Sequence, residues 1–185
     1  MLVLSFIALV LGTAAGGGAF ALEAPKRLRL KRLLTVLALA LGALSGIFAI
    51  IGGATSGEQG QSWMPAPWII AMTGLYAVLC GGPFTEAVFA RARTEHAGET
   101  DRDPSPLKGG LWIGLLERTA IIVSLWAGWP EGIAVVMAIK GLGRFAELKD
   151  TVAAEQFILG TFSSGLTALA GYGLGVALLG QPLVQ

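Results

Sequence analysis

The residues of this chain that could do chemistry are charged, and they stand where charge is expensive. Glu117 and Arg118 lie within the apolar stretch Leu111 to Trp129, and Lys140, Arg144 and Glu147 within the next, Gly132 to Leu148. Lys149, Asp150 and Glu155 follow around a turn. Both stretches are long enough to enter a bilayer, where ionisable side chains pair, face the bundle interior or line a wet cavity. Carboxylates there can move protons or balance cations, and the Lys and Arg heads can hold an anionic group.

Depth counting brings several of these charges together. With the turn at Trp129–Pro130 as the outer surface, Glu117 lies about 18 Å deep on its helix and Arg118 about 17 Å. On the next helix Lys140 lies about 15 Å deep and Arg144 about 21 Å. The short turn makes the two helices antiparallel neighbours, so Glu117 comes level with the gap between Lys140 and Arg144. Lys140, Arg144 and Glu147 follow i, i+4, i+7 and share one face of a continuous helix. Glu155, opening the next span, can approach from below. The expectation is a network of Glu117, Arg118, Lys140, Arg144, Glu147 and Glu155, with Arg118 turned about 100° from Glu117 towards another helix.

The elements that must position this network are membrane helices. Apolar residues make up 54% of the chain and charged residues 14%, against about 25% charged in soluble domains. Six apolar segments stand out, at 2–22, 33–53, 67–90, 111–129, 131–148 and 155–180. Each is near the length that crosses about 30 Å of hydrocarbon, and none alternates like a barrel strand. The expected fold is all-α: one integral membrane domain, a polytopic bundle of six spanning helices.

Basic residues set its orientation. Lys26, Arg27, Arg29, Lys31 and Arg32 precede the second span, Arg91, Arg93, Arg102 and Lys108 follow the third, and Lys149 follows the fifth. Segment 54–66 and both ends of the chain carry none. The positive-inside rule then puts loop 91–110 in the cytoplasm and both termini outside. Trp63, Trp68, Trp112, Trp126 and Trp129 fall at span ends, as interfacial anchors do. The run ending Ala19-Phe20-Ala21 resembles a signal-peptide cleavage site, but it lacks a basic leading region and five basic residues follow at once, so a retained span is expected.

Two further features concern packing and local shape. Gly12/Gly16 and Gly42/Gly46 are GxxxG pairs, and the last span carries Gly160, Ser164, Ala168, Gly171 and Gly175 on one face. Such stripes allow close helix contact, within the chain or in a homo-oligomer. Gly81-Gly82-Pro83 interrupts the third span, which predicts a kink or a helix break of the kind that lines transport sites.

Other chemistries find little support. The single histidine, His96, lies in loop 91–110, which leaves the spans without a Ser–His pair or a metal site. Cys80 is alone, so neither a disulfide nor a thiolate metal site is available. Gly16-Gly17-Gly18 lacks the Lys-Ser/Thr of a phosphate loop. Asp101 and Asp103 sit among prolines in a linker. No catalytic residue, metal or cofactor is expected, and a net charge of +1 gives no nucleic-acid partner.

The run Ile113-Gly-Leu-Leu-Glu117-Arg118, then Lys140 with Arg144-Phe145-Ala-Glu147, then Glu155 with Gly160-Thr161 and Ser164, resembles the C-terminal signature of a family of bacterial membrane proteins catalogued as a domain of unknown function. The resemblance covers about residues 110–170. It implies a multi-pass protein of the bacterial inner membrane whose charges belong together as a set, and it implies no activity.

Three function classes follow from these residues. The first is a small-solute or ion transporter, or a solute-binding membrane subunit, with a cytoplasm-facing charged cavity for an anionic small molecule or lipid headgroup. The second is a non-catalytic component that uses its charges for helix packing or to assemble with a membrane partner. The third is a lipid-modifying enzyme with Glu117 or Glu147 as base.

Overall fold

In the computed structural model the described residues are 1–22, 28–55, 64–95 and 110–180, and among them there is helix and no strand. Six α-helices follow in order: α1 (Leu2–Ala21), α2 (Leu28–Thr55), α3 (Ala66–Glu95), α4 (Gly110–Trp126), α5 (Gly132–Gly143) and α6 (Thr151–Leu179). His96, Asp101, Asp103 and Trp63 lie outside the described residues.

Four of these helices, α1, α2, α3 and α6, are long and apolar enough to cross a membrane. This is the build of a multi-pass membrane protein. Four spans are thus shown, against the six expected; α4 has 17 residues, which rise about 26 Å, and the 12 of α5 rise only about 18 Å. The chain leaves α5 at Gly143, five residues before the apolar stretch ends, and passes through a 3-10 turn at Glu147–Lys149. Gly141 and Gly143 weaken the last turn of α5, since each glycine costs about 1 kcal/mol in a helix. Asp150 then accepts a hydrogen bond from the Ala153 amide at 3.0 Å and caps α6, which fixes a new helix start instead of prolonging α5.

The long helices exceed the apolar segments of the sequence. Basic residues Arg29, Lys31 and Arg32 lie in the first turns of α2, and Arg91 lies near the end of α3. Lys31 and Glu86 join these two basic-flanked ends at 2.5 Å.

Packing follows the small residues. α3 lies centrally, against α1, α4 and α6, and α1 also lies along α2. A Cβ on Gly16 would collide with Cys80, and one on Gly42 with the Tyr76 hydroxyl. Tyr76 donates to the Ala38 carbonyl at 3.0 Å, and the Ser5 hydroxyl donates to the Ser45 carbonyl at 2.6 Å. On α6, Gly171 meets Ala77 and the Thr73 carbonyl, and Gly175 meets the Trp126 ring. The stripes are thus occupied by contacts within the chain. Large apolar side chains such as Leu33, Val36, Ile50, Leu142 and Phe162 point outwards, as a lipid-facing surface requires.

The α4–α5 hairpin is set by a glycine with φ of 70° at Gly128, a conformation that other residues resist. The Trp129 amide closes the turn on the Ser124 carbonyl at 2.9 Å. A side chain on Gly132 would strike Ser124 and Trp129, so the two helices can start close together.

Candidate charged site in the helix bundle

Glu117 and Arg118 lie near the middle of α4, and both are buried, at 5% and 3% exposure. Their neighbouring positions project them to different sides. Glu117 faces α5, where the Lys140 ammonium lies 2.6 Å from its Oε2. Lys140 also lies 5.6 Å from the centre of the Phe157 ring on α6, a distance at which a cation is attracted to the ring face. Of the two basic partners that depth counting offers Glu117, Lys140 is the one in contact.

Arg118 turns towards α3 and α6. Its Nη1 donates to the Ser164 hydroxyl at 3.3 Å. The guanidinium stem passes over bare backbone: a Cβ on Gly81 would stand 2.6 Å from Nε, and one on Gly114 3.3 Å from Nη1. Thr167 borders the same point and donates its hydroxyl to the Ser164 carbonyl at 2.8 Å. Gly81 and Ser164 both lie near the middle of their helices, so the guanidinium occupies mid-depth of the bundle.

The pairing is incomplete. Glu117 Oε1 and Arg118 Nε are buried without a hydrogen-bond partner. Among the described residues no carboxylate lies within salt-bridge distance of Arg118. Such orphaned groups are costly in a low-dielectric interior.

The other expected members lie elsewhere. Arg144 stands 3.6 Å from Glu147, a partly exposed pair within the turn after α5. The i, i+4, i+7 face that was to unite them with Lys140 does not form, because the helix stops at Gly143. Glu155 is exposed on the first turns of α6 and makes no ion pair among the described residues. The charged centre is therefore Glu117, Lys140 and Arg118.

Gly81, Gly82 and Pro83 do not end a helix, since α3 continues through them. Pro83 forfeits one backbone bond, a loss that membrane helices absorb through their neighbours. The two glycines instead make the notch that admits Arg118, with Gly82 also against the Phe20 ring.

Sequence reasoning missed Gly114 and Thr167 as parts of this centre. Gly114 lies one helical turn before Arg118, and that spacing is a signal that a bulky side chain is being given room. Thr167 carries no such signal, because its place depends on how α6 meets α3.

An open apolar groove of about 310 Å³ runs between α3 and α6, lined by Phe84, Val88, Ile158, Phe162 and Leu166. It is separate from the charges. Among the described residues no cluster of His, Cys, Asp or Glu could hold a metal ion. No protein-family model, curated protein or solved structure matches the chain.

Proposed function

We propose that the chain is a protein of the bacterial cytoplasmic membrane, with both termini outside, that binds a small solute at the charged centre of its bundle. It acts as a transporter or as the solute-binding subunit of one. One observation carries this reading: Arg118 is buried at mid-depth with no carboxylate within salt-bridge distance among the described residues, beside a Glu117 already engaged by Lys140. Helix register needs one ion pair. A further buried charge costs several kcal/mol, and membrane proteins keep such groups mainly where something passes or binds.

Two features support access from the cytoplasm. Residues 144–150 are turns around the short 3-10 turn, at the end of α5 that the proposed topology faces inward, and non-α backbone is tolerated at membrane depth only against protein or water. The basic helix ends agree with the orientation. The resemblance over residues 110–170 supports a bacterial inner membrane.

A second reading, in which the charges only assemble helices, is favoured by the 2.6 Å contact of Lys140 with Glu117, since α5 packs chiefly on α4. Unfolding in neutral detergent separates the two readings. A panel of anionic, cationic and neutral small solutes should contain one class that raises the unfolding temperature saturably, as any ligand of the native state does. A panel without effect favours assembly.

A further inference from the structure

We infer that the ligand of this centre is a small oxyanion, a carboxylate or phosphate, held by the Arg118 fork and the Ser164 hydroxyl between α3, α4 and α6. The inference rests on the solute-site reading above and names its chemical class.

Charge decides the class first. Glu117 and Lys140 cancel at 2.6 Å, and Arg118 leaves one positive charge in the interior. A monoanion brings the buried set to neutrality. A neutral solute leaves the charge uncompensated, and a cation adds a second, at a cost that low dielectric enlarges.

Geometry then supplies the donors. A guanidinium carries five N–H groups in a planar fork that matches an oxyanion. Here the hydrogen-bond partner of Arg118 among the described residues is Ser164, at the long distance of 3.3 Å, and Nε has none. Because the Ser164 oxygen accepts from Arg118, its own proton is left to donate to a third group. Arg118 and Ser164, in contact with one another, thus both keep donor capacity for an incoming acceptor.

The walls beside the fork supply no competing acceptor from their side chains. Gly114 and Gly82 present bare backbone to Nη1 and Nη2, at 3.3 Å and 3.9 Å from where their Cβ atoms would be. A side-chain acceptor from either position would quench the fork, and neither has one.

Phosphate could arrive free or as a lipid headgroup. Mid-depth favours a free ion, since a headgroup would have to sink about 15 Å, half the hydrocarbon thickness.

The test uses the full-length protein in neutral detergent at constant ionic strength. Sodium acetate, sodium phosphate, phosphatidylglycerol in mixed micelles, choline and glucose are titrated against the unfolding temperature. Acetate or phosphate should stabilise saturably, and Arg118→Lys, which keeps the charge and loses the fork, should weaken the apparent affinity on the order of tenfold or more. Ser164→Ala should weaken it as well, and this variant carries the test if Arg118→Lys does not fold. An undiminished response in both variants overturns the assignment to Arg118 and Ser164. A response to phosphatidylglycerol alone overturns the free oxyanion. Stabilisation by choline or glucose alone overturns the anion class and leaves the solute site standing. Silence from every probe overturns both.

Discussion

Lys140 and Arg144 are four residues apart, yet they occupy different electrostatic surroundings. Lys140 meets a carboxylate that is 4% exposed, whereas Arg144 meets one that is 55% exposed. Replacing Lys140 by Met leaves Glu117 buried without a counter-ion, and the expected loss is about 3–5 kcal/mol. Replacing Arg144 by Leu breaks a partly solvated pair, worth about 1 kcal/mol or less. Equilibrium unfolding of both variants in mixed micelles checks the contrast, and equal losses would place Arg144 in the core of the site after all. The pairing of Glu117 was legible in the sequence because two antiparallel helices joined by a short turn can be counted from that turn. The direction of Arg118 was legible too, from the 100° step between neighbours. Its partners were not, because Gly81 and Ser164 come from distant helices whose approach no local pattern encodes.

Among the elements, the glycines of α6 divide by what they touch. Gly171 lies against Ala77 and the Thr73 carbonyl, while Gly173 has nothing within 4 Å of its would-be side chain. Gly171→Val should therefore destabilise by about 1–3 kcal/mol through overpacking. Gly173→Ala should be neutral or stabilising by up to about 1 kcal/mol, from helix propensity alone. Thermal unfolding of the two variants gives the sign, and tolerance of Val at 171 would contradict the packing of α6 on α3. The same elements show what hydropathy reads well and what it misses. Long apolar runs gave α1, α2, α3 and α6 as membrane-length helices. The run at 131–148 concealed the end of α5, since Gly141 and Gly143 barely change its mean hydropathy while they weaken the helix, and the Asp150 cap that starts α6 lies beyond the run. Pro83 left two outcomes open, a kink or a break, and α3 continues through it.

At the scale of the molecule, the proposed topology has the basic helix ends in the cytoplasm. Single cysteines at positions 57 and 98, in a Cys80→Ala background, report the side directly. Position 57 should react with an impermeant thiol reagent on intact cells, and position 98 only after permeabilisation. Labelling of position 98 from outside would invert the bundle and turn segment 144–150 away from the cytoplasm.

The central claim is that the buried charges serve a ligand and not helix packing alone, and one variant separates the two. Arg118→Gln removes the buried charge that has no carboxylate within salt-bridge distance among the described residues, and it keeps a polar side chain in that place. Its stability should stay close to that of the parent, because a buried charge without a close partner costs several kcal/mol of desolvation that the variant no longer carries. Measured beside the growth or uptake phenotype of a strain that depends on the protein, the expected result is a retained unfolding temperature with lost function. Full function in a stable Arg118→Gln variant would contradict the claim.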